Sequence, residues 1–166
     1  SDNGPVLDDG YTDQAVELLG SHDPAGGFRG GKYSVFEAGT RVPTIVSWPG
    51  RVKAGESAAL WGQVDLYASL AELVEQPLPP QASRDGESVL PALLGDSPTG
   101  KTYLLEEAVT FGLRENHWKY IAPTEQAADW IWEVKRIEGG LSAEPQLYDL
   151  SQDPGEQHNL AAEHPE

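Results

Sequence analysis

The sequence predicts an α/β chain, in which part of a helix-flanked parallel layer is followed by a small antiparallel sheet with helices. Three observations predict it. Thr44-Ile45-Val46-Ser47-Trp48 is a short β-branched run between Pro43 and Pro49, the pattern of a buried, parallel strand. Residues 64–75 repeat apolar side chains every three or four positions, the period of a helix. Segments 102–107, 109–114 and 117–122 read as strands, with Glu115-Asn116 as a tight turn between the last two.

In chain order, residues 1–40 are rich in Gly and Asp and lack sustained periodicity; only 14–19 has the pattern of a short helical turn. A loop of that length inside a compact domain is usually functional. The strand 44–48 follows. The helix 64–75 carries Leu66, Leu70 and Leu73 with Tyr67, Ala71 and Val74, and Asp65 sits in its first turn, where negative charge is favourable. Pro77, Pro79 and Pro80 end it, and 76–86 reads as a linker. Residues 89–94 form a short helical or turn segment. In 109–114, Val109, Phe111 and Leu113 share one face and Thr110, Gly112 and Arg114 the other. Residues 126–138 fit a helix, with Trp130, Ile131, Val134 and Ile137 on one side, or a strand, and a last strand is expected over 147–150. Asp153-Pro154-Gly155-Glu156 matches a helix start, with Asp as cap and Pro at the first helical position, so His158 and His164 are expected on a solvent-facing helix. The two regions divide as 1–80 and 81–166.

Composition narrows the function. The 166 residues are one domain's worth of chain, and 39% hydrophobic content with five Trp is enough to build a core. A net charge of −16 argues against binding nucleic acid or an anionic membrane, and no apolar run approaches the length of a membrane span. Cysteine is absent, which removes disulfides, thiolate metal sites and Cys nucleophiles from this chain. Methionine is absent too, even at position 1, so the sequence is expected to be part of a longer protein.

Three places carry chemistry. Asp2 and Asn3 put a carboxylate beside an amide oxygen, hard donors suited to Ca²⁺ or Mg²⁺, and Gly4 lets the backbone turn away. Two ligands do not fill a calcium shell of roughly six to eight oxygens, so further ligands must come from elsewhere. The stretch 21–53 holds Arg29, Lys32, Arg41, Arg51 and Lys53 against Asp23 and Glu37, a cationic island of +3 in an acidic chain. Its glycines, Gly26, Gly27, Gly30 and Gly31, let the backbone and Lys32 approach an anion closely. His22, in the same loop, is a candidate acid–base group. His117, opening a strand, is expected to be structural. No nucleophile elbow, phosphate-binding P-loop or dinucleotide fingerprint is present.

Taken in order, these motifs resemble the C-terminal part of a type I sulfatase. Ser1-Asp2-Asn3-Gly4 is similar to that family's metal motif, and Gly30-Gly31-Lys32 followed by Glu37-Ala38-Gly39-Thr40-Arg41-Val42-Pro43 is similar to its lysine block. Val64-Asp65-Leu66-Tyr67, Gly112-Leu113-Arg114 with Trp118-Lys119-Tyr120, and Leu147-Tyr148-Asp149-Leu150 with Asp153-Pro154-Gly155-Glu156 and Asn159-Leu160 continue the likeness almost to the end of the chain. The resemblance implies the alkaline-phosphatase-like α/β sandwich, with 1–80 closing its core and 81–166 as the small C-terminal subdomain. It implies hydrolysis of sulfate esters, with Ca²⁺ held by Asp2 and Asn3 and the sulfate group bound by Lys32. Glu37 and Arg41 then order the loop that presents Lys32. His22 and Arg29 lack firm counterparts and stand as candidate substrate contacts.

Departures qualify that expectation. The family's formylglycine nucleophile comes from a Cys or Ser in a Cys/Ser-x-Pro-x-Arg motif, and neither form occurs here; nor do the family's N-terminal metal ligands. The chain is therefore expected to be inactive alone and to need the N-terminal part of the same enzyme. Exposed sheet edges and apolar faces are expected to drive it to a homo-oligomer. The substrate class implied is a sulfated small molecule or saccharide, and the location implied is the periplasm or cell exterior. Two other readings stand beside this one: a phosphatase or phosphonate hydrolase of the same superfamily, and a non-catalytic binding module.

Overall fold

The computed structural model describes residues 1–126 and 128–165. These form two compact units, one of residues 1–43 with 105–166 and one of 44–104. That division differs from the sequential split at residue 80, because the first 43 residues group with the C-terminal sheet.

In the first unit, α1 (Ala15–Leu18) and α2 (Glu37–Thr40) are single helical turns. A four-stranded sheet follows, in the order β1 (Tyr103–Ala108), β2 (Thr110–Glu115), β3 (Trp118–Ile121) and β4 (Gln146–Asp149), with β1 starting at the end of the other unit. Asn116, at φ +53°, makes the tight turn that joins β2 to β3. The antiparallel register sets Arg114 opposite Lys119 and Gly112 opposite Ile121, then Lys119 opposite Tyr148. These residues share the inner face. Val35 and Phe36 pack against that face and form with Ile121 and Tyr148 the buried apolar cluster of the unit, Phe36 edge-on to Tyr148.

The face that looked more polar in sequence is the inner one. Thr110, Gly112 and Lys119 are buried, whereas Phe111, Leu113 and Tyr120 are exposed. The physical reason lies opposite Gly112. A Cβ there would approach Val35 to 3.1 Å, so the missing side chain is what lets the 35–36 segment close on the sheet.

Of the two readings of 126–138, the helix forms, as α5 (Asp129–Lys135). Ala127, inside the expected range, lies outside the described residues. Only Ile131 of α5 is buried; Trp130 and Val134 are exposed. The expected helix from 153 does not form. Asp153 does cap, its Oδ2 accepting from the backbone N–H of Gln157 at 2.7 Å and of His158 at 2.8 Å. Glu156 then turns to φ +53° and sends its carboxyl into the core, which ends the helical path after one turn. His158 and His164 therefore lie on irregular, exposed chain.

In the second unit, α3 (Asp65–Leu73) and α4 (Leu90–Leu93) pack together. Asp65 is fully buried at the start of α3. Its Oδ2 accepts from Gly62 N–H at 2.8 Å, and its Oδ1 accepts from Glu87 N–H and from Lys101 Nζ, both at 3.0 Å. Ser69 Oγ, one turn on, accepts from Val89 N–H at 2.9 Å. A polar latch thus ties α3 to residues 87–101, while Tyr67, Leu70 and Val74 of its apolar repeat stay exposed. Residues 44–48 do not form a strand, and Ile45 is 91% exposed. A strand needs a neighbour for its backbone groups, and none pairs with this run among the described residues.

Candidate functional site

The first few residues and the Lys32 loop are bound together through their backbones. Gly4 N–H donates to Gly39 O at 3.1 Å, and Lys32 N–H donates to Pro5 O at 2.8 Å. The approach is close enough to need glycine on both sides. A Cβ on Gly4 would lie 1.8 Å from Ala38 O, and one on Gly31 would lie 2.7 Å from Pro5 O. Two motifs separated by nearly thirty residues are thereby held side by side. Asn3 is half-buried and its amide nitrogen donates to Gly4 O at 2.9 Å, which fixes the plane of the side chain. Asp2 is exposed.

Lys32 is half-buried, with Nζ 5.3 Å from the Tyr33 ring centroid. Tyr33 adopts φ +77°, a costly conformation for a bulky residue, and its ring meets Trp130 of α5 edge-on at 5.0 Å. Ile137 packs on Gly31, and Lys135 Nζ donates to Asp8 O at 2.7 Å. Residues 129–137 therefore back the loop that presents Lys32.

Behind the loop lies a buried ionic cluster. Glu37, the first residue of α2, has no exposed surface. Its Oε1 accepts from Lys119 Nζ at 3.0 Å and its Oε2 from Arg114 at 2.7 Å, with Arg41 at 3.5 Å. Lys119, equally buried, also donates to Thr40 Oγ1 at 3.1 Å and pairs with Glu106 at 2.8 Å and Glu156 at 4.0 Å. Burial alone would raise the Glu37 carboxyl, but Lys119 and Arg114 together hold it below its ordinary range. Burial would lower Lys119, but Glu106, Glu37 and Glu156 hold it above its ordinary value. Glu156 differs: desolvation pushes it up to about 7 against the pull of Lys119, and the neighbouring Glu37 and Glu106 add to the rise.

Arg29 is largely engaged inside the protein. It pairs with Glu138, donates to Glu156 O at 2.6 Å and stacks 4.2 Å over Phe36. It also borders a cavity of about 650 Å³ lined in part by Phe36, Glu125, Trp132, Glu138 and Gln146. His22 is exposed on a turn built by Asp23, whose oxygens accept from Ala25 and Gly27 N–H. Among the described residues, His22 shares no hydrogen bond or ion pair with Lys32; its backbone N–H donates to Leu19 O. His117 stacks against Trp118 at 5.1 Å.

The donor set suits a hard divalent cation in part. Asp2 and Asn3 supply oxygens, while no group of three His, Asp or Glu able to hold a metal occurs among the described residues. Reading the sequence singled out Asp2, Asn3 and Lys32, but it treated Lys119 as one residue of a motif and left Glu106 unremarked. The available signal was period two: Lys119 alternates with Ile121 as an inward residue would.

Residues 1–76 match the family model for sulfatases. Along its whole length the chain is 49% identical to an N-acetylgalactosamine-6-O-sulfatase of Bacteroides thetaiotaomicron, of which it covers 32%. It is 35% identical to human arylsulfatase K, the alignment taking in 81% of this chain and 25% of that one. Among solved structures, one from work on glycosaminoglycan metabolism by Bacteroides thetaiotaomicron superposes with a TM-score of 0.93 at 48% identity, over 99% of this chain and 34% of that one. The chain spans a quarter to a third of the length of the curated relatives it matches.

Proposed function

We propose, from the premise that this chain belongs with the sulfatases and corresponds to their C-terminal portion, that it is the sulfate-holding part of a sulfuric ester hydrolase. The observation that carries the proposal is the backbone pairing that brings Asn3-Gly4-Pro5 beside Gly31-Lys32 and Gly39. In this reading the Lys32 ammonium binds a sulfate oxygen, where charge grows as the ester S–O bond breaks. Asp2 and Asn3 hold part of a divalent cation's shell; their hard oxygens suit Ca²⁺ or Mg²⁺, and the resemblance to sulfatases favours calcium. When bound, that ion supplies Lewis-acid stabilisation of the same charge. Glu37, Lys119 and Arg114 keep the loop in place so that Lys32 does not have to be ordered by the substrate.

The substrate we propose is a sugar sulfated on a primary hydroxyl, of the kind named for the Bacteroides relative. Support comes from 49% identity along the whole chain and from the cavity beside Arg29, whose 650 Å³ falls in the usual range for a small-ligand site. His22 and Arg29 are the candidate contacts for the sugar. The chain holds neither a Cys nor a Ser-x-Pro-x-Arg segment, so we assign it the binding half of the site and no turnover by itself. We take the enzyme to work in the periplasm or outside the cell, where polymeric sulfated sugars are met.

The test is sulfate release by the full-length enzyme from 6-O-sulfated N-acetylgalactosamine, its 4-O isomer and a 6-phosphate ester. Release from the 6-O-sulfate, lost with chelator and restored by Ca²⁺, is expected. Equal turnover of the phosphate ester, or release that ignores the chelator, overturns the reading.

A further inference from the structure

Three carboxylates converge on Lys119: Glu37 from α2, Glu106 from β1 and Glu156 from the C-terminal segment. Arg114 of β2 lies against Glu37 with a side chain that is 13% exposed, and Arg41 reaches Glu37 from one that is 57% exposed. Arg29 approaches too, but its charge is matched by Glu138. Tyr148 of β4 lies near Glu156, and Asp153 near Tyr148. With all three acids ionised, the buried volume carries one negative charge more than Lys119 and Arg114 neutralise. With one proton retained, it balances.

The geometry says which acid keeps the proton. Glu37 and Glu106 lie 3.0 and 2.8 Å from Lys119 Nζ, while Glu156 stands off at 4.0 Å. Glu156 Oε2 accepts from the backbone N–H of Glu37 at 2.6 Å. Its Oε1 is buried and meets no hydrogen-bond partner among the described residues; Glu106 Oε2 lacks one too, but lies 2.8 Å from the Lys119 ammonium, against 4.0 Å for Glu156 Oε1. A charged oxygen is far more costly in such a place than a protonated one.

The same residue is mechanically placed. Its carboxyl grips the first N–H of α2, and its carbonyl accepts from Arg29 at 2.6 Å, so it touches both ends of the segment that carries Lys32. It does this from φ +53°, a conformation that a side chain with a Cβ holds only when its surroundings enforce it.

We infer that Glu156 is a positioning residue for the Lys32 segment, holding it through a protonated carboxyl whose loss of the proton slackens residues 29–41. The proton leaves to solvent, no bond between heavy atoms changes, and the burial-raised acidity noted above puts the transition close to neutrality. The inference rests on the proposed role of Lys32 for its functional meaning alone, since the grip on the segment stands by itself.

The experiment is amide hydrogen exchange of residues 29–41 in the full-length enzyme at pH 6 and pH 8, corrected for intrinsic rates, with KM and kcat measured in parallel. In the wild type, protection of these amides is expected to fall about tenfold across that range, as an acid titrating near neutrality gives. KM is expected to rise with it while kcat changes little. Glu156→Gln keeps the acceptor and removes the titration, so protection and KM become the same at both pH values. Glu106→Gln, a second route if the first variant folds poorly, relieves repulsion on Glu156 and moves the transition to lower pH. An unchanged loss of protection in both variants overturns the inference. So does a KM that no longer follows protection while Lys32→Ala still raises KM. If Lys32→Ala leaves KM unaltered, the reading of Lys32 fails, and the exchange data still decide whether Glu156 grips the segment.

Discussion

Lys119 is the residue on which the interior of the first unit depends. It has no exposed surface, and three carboxylates face it. Lys119→Met would leave Glu37 with Arg114 and deprive Glu106 and Glu156 of their ammonium partner, and breaking a buried pair from one side costs about 3–5 kcal/mol. A large fall in thermal midpoint is expected by calorimetry, and a change within error would remove the cluster from any structural account. The acids also set opposed pH dependences. Glu37 is held below its ordinary range, so its contribution is present above the unfolded value of 4.5 and is lost as pH falls through its folded value. Glu156 is raised to about 7, so its contribution is present below 4.5 and is lost as pH rises through 7. Stability is expected to peak in mildly acidic solution, and urea titrations from pH 4 to 8 check it; a plateau across that range contradicts the assignment. None of this was legible in the residue itself. A lysine between Trp118 and Tyr120 reads as a solvated charge until the strand register sets it opposite Tyr148 and over Glu37.

At the scale of elements, the site is a matter of backbones that approach too closely for side chains. A Cβ on Gly39 would lie 2.0 Å from Ser34 O and 2.5 Å from Gly31 O. Gly39→Ala should therefore push α2 off the Lys32 loop, at a cost of about 1–3 kcal/mol for overpacking. It should raise KM more than a surface change such as Gly55→Ala, a glycine with nothing within reach of an added Cβ. Equal effects of the two substitutions would argue against the docked loop. The same scale explains what the sequence made legible and what it hid. The hairpin at Glu115-Asn116, the helix at 65–73 and the strand at 146–149 were readable because period and turn chemistry are local. The run 44–48 looked like a buried strand because β-branched residues favour one, yet a strand exists only with a partner to pair with. The helix expected from 153 had its cap, and failed because the Glu156 carboxyl is wanted in the core.

Across the whole molecule, the two units differ in what holds them. The first closes around an ionic cluster and a small aromatic core, the second around the Asp65 latch. Asp2, Asn3 and Lys32 all fall in the first unit, although sequence order alone had assigned them to a region ending at residue 80. The exposed Tyr67, Leu70 and Val74 of α3, with Ile45 and Trp48, are the kind of apolar surface that marks an interface. The central claim is that Lys32, set by the pairing of the first residues with its loop, is the sulfate-binding cation of a sulfuric ester hydrolase. The measurement that tests it most directly is kcat/KM of full-length Lys32→Ala on a 6-O-sulfated amino sugar, with the fold checked by circular dichroism. Loss of one fixed charge-stabilising donor predicts a fall of about 100-fold or more with an unchanged spectrum. An active variant with wild-type kcat/KM would contradict the account.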